Sequence, residues 1–90
     1  MSVSTKVRML MTIKRKNAVQ MASYMGIHQQ SFRNKLGRES FSSADLIEIA
    51  ELLGGKLLVE VDGQRILFGR EDLDEKRLAH VLECKKEEAP

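Results

Sequence analysis

Residues 17–36, NAVQMASYMGIHQQSFRNKL, leave a folded chain little freedom. Asn17 offers a capping oxygen and Gln20 stands three places on, the spacing of a capping box. Met21, Ala22 and Met25 mark the buried stripe of a short helix, and Gly26 sits where a helix ends in a left-handed residue. After Ile27 and His28, residues 29–36 read as a second helix. Phe32 and Leu36 point inward there, Gln29, Gln30, Arg33, Asn34 and Lys35 are left outside, and Gly37 closes it. Each landmark has a physical reason. Ala22 is small where the two helices cross, Gly26 permits a tight turn at positive φ, and Met21, Met25, Ile27 and Phe32 fill the wedge between them. The turn makes the second helix project from the surface, so that it can enter a groove about 12 Å wide.

The rest of the chain fits around this pair. Val3, Val7, Leu10 and Met11 recur at helical spacing behind a capping Ser2, which predicts a first helix to about residue 16. A polar loop covers residues 38–42. Ser42 or Ser43 caps a fourth helix, with Leu46, Ile49, Ala50 and Leu53 inside and Asp45, Glu48 and Glu51 on a solvated acidic face. Gly54 and Gly55 stop it. Residues 56–61 and 64–68 are β-rich runs joined by Asp62-Gly63, a strong hairpin signal. Asp72 is placed to cap a last helix over residues 73–84, with Leu73, Leu78, Val81 and Leu82 apolar, before a charged tail at 85–90 that frays. The expected fold is mainly α: four helices, a β-hairpin and a C-terminal helix. A chain of 90 residues supports one core. Residues 1–54 are therefore read as the functional region, and residues 55–90 as a dimerisation or packing extension of the same domain.

Charge is unevenly spread. Residues 1–40 carry eight basic side chains against Glu39 alone, whereas residues 41–90 carry seven against twelve acidic ones. A cationic front half suits a polyanion, although a solvated basic surface would look the same. No apolar stretch approaches the roughly 20 residues of a membrane span, and the N-terminus has a helix pattern, so the expected location is the cytoplasm. The lone Cys84 has no internal disulfide partner, and with His80 one turn earlier it supplies too few ligands for structural zinc. There is no Gly-rich phosphate loop and no pair of carboxylates in an apolar setting. An enzyme, a cofactor and a metal are therefore not expected.

In the spacing of Ala22, Gly26, Ile27 and Phe32, in Gln29-Gln30-Ser31 opening the second helix, and in Asn34-Lys35-Leu36 followed by the helix at 46–53, the chain resembles the Cro/C1-type (lambda repressor-like, XRE) helix-turn-helix family. The resemblance covers residues 3–53. It implies a lambda repressor-like fold and a transcriptional regulator, a repressor by analogy, that reads double-stranded DNA in the major groove with the helix at 29–35. Gln29 and Gln30 suit adenine, Arg33 suits guanine, and Asn34 or Lys35 can reach a base edge or a phosphate. His28 and Ser31 open the helix. Arg38 after it, and Lys16 and Asn17 before the preceding helix, are the natural backbone contacts. Two positions depart from the family pattern: Ala18, where a phosphate-holding Gln is common, and His28, where the cap is commonly Ser or Thr. The expected partner is a second copy, joined through the hairpin and last helix, because paired heads read half-sites about 34 Å apart. The alternative is a protein-interaction module of antitoxin or anti-repressor type.

Overall fold

The computed structural model describes residues 2–88, with side chains as far as Lys85. In chain order these form α1 (Val3–Lys14), α2 (Ala18–Met25), α3 (Gln29–Arg38), α4 (Ser43–Leu52), the strands β1 (Leu57–Val61) and β2 (Gln64–Phe68), a 3-10 turn (Arg70–Asp72) and α5 (Glu75–Glu88). The chain is thus mainly helical, with one antiparallel hairpin. All five helices or their flanks feed a single apolar cluster, from Val7 and Met11 through Met21, Phe32 and Ile49 to Leu73 and Val81. Phe32 is fully buried and meets Phe41 edge to face, with ring centroids 5.9 Å apart. No helix among the described residues is long and apolar enough to cross a membrane.

Local chemistry explains most boundaries. Ser2 caps α1 by accepting from the Thr5 N–H at 3.1 Å. Asn17 and Gln20 form the full capping box of α2, with each side chain accepting from the other's backbone N–H. α1 stops at Lys14, two residues short of the expected end, because Asn17 needs extended backbone to cap and Arg15 makes the left-handed turn (φ 55°) that precedes it. α3 runs past Gly37 to Arg38. Its left-handed end falls on Glu39 (φ 57°), whose carboxylate accepts from the Ser4 N–H of α1 at 3.2 Å. That anchor, rather than a glycine, ends the helix, and residues 29–36 were too short a reading.

The C-terminal third differs more. Asp72 accepts from the Gly69 N–H within the 3-10 turn, so it does not cap α5. Leu73 is extended and buried, which draws the chain into the core, and Asp74 takes over the cap by accepting from the Arg77 N–H at 2.8 Å. α5 extends to Glu88, beyond the expected end at Cys84, and the remainder of the tail lies outside the described residues. The hairpin follows its signal closely. Leu57 pairs with Phe68 and Val61 with Gln64 across a two-residue turn in which Asp62 (φ 50°) and Gly63 (φ 77°) are both left-handed.

α5 packs on α4 and α2. At the α2–α3 turn Gly26 has φ 69°, and a Cβ built on it would run into the His80 ring of α5. Gly37, by contrast, lies in helical backbone with nothing within 4 Å of a built Cβ. Gly26→Ala is expected to lower the unfolding free energy by about 2–4 kcal/mol, from left-handed strain plus overlap. Gly37→Ala is expected to raise it by about 0.5–1 kcal/mol through the lost flexibility of the unfolded chain. Urea midpoints of the two variants check both signs.

Candidate nucleic-acid interface

α3 is held from below and bare above. Phe32 and Leu36 are buried, while Gln29, Gln30, Ser31, Arg33, Asn34 and Arg38 are exposed. Residues three and four apart share a helix face. Gln29 with Arg33, and Gln30 with Asn34 and Arg38, therefore form two adjoining polar rows. Gln30 Nε2 donates to Asn34 Oδ1 at 3.1 Å, which orients both amides along the surface. His28 is the N-cap, its Nδ1 accepting from the Gln30 N–H at 3.2 Å, so the departure from Ser or Thr keeps the capping bond. Neither α2 nor α3 has an acidic residue in its first turn. Both N-termini thus keep the positive end of the helix dipole uncompensated.

Two of the cations expected there are engaged elsewhere. Lys16, half-buried, donates to the Tyr24 hydroxyl at 3.0 Å and lies 5.2 Å from that ring's centroid, which lays its stem on α2. Asn17 Oδ1 is occupied by its cap. Lys35 turns toward α4, where its Nζ donates to Asp45 Oδ2 at 2.9 Å with the side chain 27% exposed. Arg33 and Arg38 have no ion pair among the described residues, and they are the cations that α3 presents outward.

The partner of Lys35 overturns the expectation that Asp45 and Glu48 lie on a solvated face: each is 1% exposed. Arg77 of α5 reaches both, donating to Asp45 Oδ1 at 2.9 Å and to Glu48 Oε2 at 2.8 Å. Asp45 also accepts from the Ser42 N–H at 2.9 Å. Burial alone would raise the Asp45 pKa, but the bonds from Lys35, Ser42 and Arg77 outweigh it and hold the carboxyl below its usual range. At Glu48 burial wins over Arg77, and the pKa is raised. Among the described residues its Oε1 has no hydrogen-bond partner, nor has Nδ1 of His80. These groups line a cleft of about 280 Å³ beneath the α2–α3 turn.

Arg77, His80, Asp45 and Glu48 were absent from the sequence reading of the site, although one signal was available. Leu46, Ile47, Ile49, Ala50, Leu52 and Leu53 surround α4 with apolar side chains, and a helix that is apolar all round is buried, acids included. Glu39 was missed too. The one acid of the cationic half is used to anchor the N-terminus of α1, and its pKa is lowered by the Ser2 and Ser4 bonds.

Removing Arg77 would strand buried Glu48 and take one of three donors from Asp45. Arg77→Ala is expected to cost about 3–5 kcal/mol at pH 7. The pH dependence has two signs. Ionised Glu48 is disfavoured in the fold, so its burden is relieved as pH falls toward its ordinary 4.5; Asp45 contributes stability above its ordinary 3.8 and loses it as pH falls through its lower folded value. The deficit of Arg77→Ala should therefore be largest at neutral pH and shrink in acid. Denaturant titrations of both proteins from pH 7 down to pH 4 read it directly.

No family model, curated protein or solved structure matches the chain, and the chemistry of the α3 surface is what speaks to its function.

Proposed function

We propose that the chain is a lambda repressor-like helix-turn-helix protein that binds double-stranded DNA sequence-specifically and regulates transcription by occluding a promoter. The observation that carries this reading is the outward face of α3. Gln29, Gln30, Arg33, Asn34 and Arg38 are exposed there together, with no acid in the helix and an apolar anchor behind it. A helix of 10 residues is about 15 Å long and fits a major groove about 12 Å wide. Gln29 and Gln30 carry the donor–acceptor pair that matches adenine N6 and N7, and Arg33 the fork that matches guanine O6 and N7. Arg38 and the N-termini of α2 and α3 meet phosphates, which positions the protein without reading sequence. Lys35 acts through Asp45, holding α3 on α4 rather than touching a base. Two copies reading two half-sites about 34 Å apart supply the affinity that one small head lacks.

Selection of bound duplexes from a random DNA library is expected to enrich a two-fold symmetric consensus. Arg33→Ala should weaken binding by about 1–3 kcal/mol and relax one position per half-site, and Gln29→Ala should relax a different one. With about six to ten phosphate contacts, affinity should fall about 10³- to 10⁵-fold between roughly 50 and 200 mM salt. A library from which nothing is enriched, or binding indifferent to salt, would turn attention to a protein partner of the same face.

A further inference from the structure

The structure divides the two elements expected to join copies. α5 packs on its own chain, where Val81 is fully buried and Leu73 and Leu78 are in or against the core. The hairpin does not, and every strand position from Leu58 onward is exposed. Its register puts Leu57, Val59, Val61, Gln64, Ile66 and Phe68 on one face. The other face holds the exposed pair Leu58 and Leu67 and the ion pair Glu60 and Arg65 at 3.0 Å. The first face is apolar at five of its six positions, yet Val61 is 55% and Ile66 59% exposed. A second apolar surface adjoins it. Val3, Met9, Leu10 and Ile13 of α1 join Leu46 of α4 and Leu57 around a groove of about 470 Å³, whose only charged lining residue is Lys6. Ile13 is 71% exposed. Leu57 belongs to both surfaces, but beyond it the chain's own hairpin leaves the groove uncovered.

We propose that a second copy of this chain fills the groove: the apolar face of each hairpin seats between α1 and α4 of the other in a two-fold dimer. The dimensions agree, since a five-residue strand spans about 17 Å and a twelve-residue helix about 18 Å. Groove and apolar hairpin face together offer about nineteen residues, at the lower edge of the roughly 20–30 a side of a stable interface. Charge agrees in sign. Lys6, Lys14 and Lys56 rim the groove and α1 holds no acid, while the hairpin tip carries Asp62 beside the Glu60–Arg65 pair, a net charge of −1. A surface apolar over this extent is a mark of interaction rather than of a lone monomer. No residue of α3 lines the groove, so pairing leaves the outward face of α3 open.

This pairing deepens the reading of two copies on two half-sites, and it is tested without DNA, so either can fail alone. Sedimentation velocity of the full chain at micromolar concentration should give twice the 10.2 kDa chain mass. Ile13→Glu in the groove and Ile66→Glu on the hairpin should each weaken self-association about tenfold or more while the far-UV circular dichroism is kept. Ile13→Ser and Ile66→Ser replace either variant that loses its fold. Mixing the groove and hairpin variants should restore a heterodimer, because one intact hairpin then meets one intact groove. A monomeric wild type, a dimer indifferent to both substitutions, or a mixture that stays monomeric would each overturn the proposal.

Discussion

One guanidinium sets the geometry on which the rest of the molecule depends. Arg77 bonds Asp45 and Glu48 from across the core, and Lys35 bonds Asp45 from the other side, so three helices meet at two buried carboxylates. Taking a carboxylate out of water costs several kcal/mol, and an ion pair returns that only when its remaining lone pairs are satisfied. Asp45, with three donors, meets the condition; Glu48, with one bonded oxygen and one orphan, does not. The opposite pKa shifts of the two acids express that difference. Such a network adds little net stability over an apolar core, but it is directional. Packing alone would let α3 slide on α4 by a fraction of a turn, whereas a carboxylate shared by Lys35, Arg77 and the Ser42 N–H has one geometry.

How much of this was legible follows from the range of each interaction. The α2–turn–α3 unit depends on contacts within a few residues: the Asn17–Gln20 box, the left-handed Gly26, and Phe32 one helical turn into α3. The same holds for Asp62-Gly63 and the strand register it sets. The end of α1 and the cap of α5 were misread over local bonds of Asn17 and Asp72, but the misreadings that bear on the site involve a partner far along the chain. Gly37 looked like a helix end because nothing nearby revealed that Glu39 would reach Ser4, 35 residues away. Asp45 and Glu48 looked solvated because Arg77 lies 32 and 29 residues on. Within the site, α3 periodicity sorted exposed from buried correctly for Gln29, Gln30, Arg33 and Asn34, but it could not separate Lys35, which sits at the edge of the polar arc and is captured by Asp45. Periodicity reports which way a residue points, and only tertiary contact decides what it meets.

Those captures sharpen the electrostatics of the front half. Its one acid is bound at the start of α1, and Lys35 is neutralised by Asp45. What remains outward on α3 is Arg33 and Arg38 among uncharged amides and hydroxyls, flanked by two helix N-termini without compensating acids. A diffuse basic surface would attract any polyanion. Fixed amides between two arginines add direction, because Gln30 and Asn34 hold each other in place and so lose less side-chain entropy on meeting a partner.

The hairpin raises the opposite question, of why a two-stranded sheet that packs on so little is ordered at all. An isolated hairpin is marginal in water even with a favourable turn. Here its own chain supplies the anchor at Leu57, which packs against the core beside α4. Had β2 packed on the core, its exposed positions would alternate; instead Ile66, Leu67 and Phe68 are exposed in succession. Both faces of the strand are open, the more apolar one waits for a surface, and the groove beside α1 is a surface waiting for a strand. Covering both at once by exchange between two copies resolves the two deficits with a single contact.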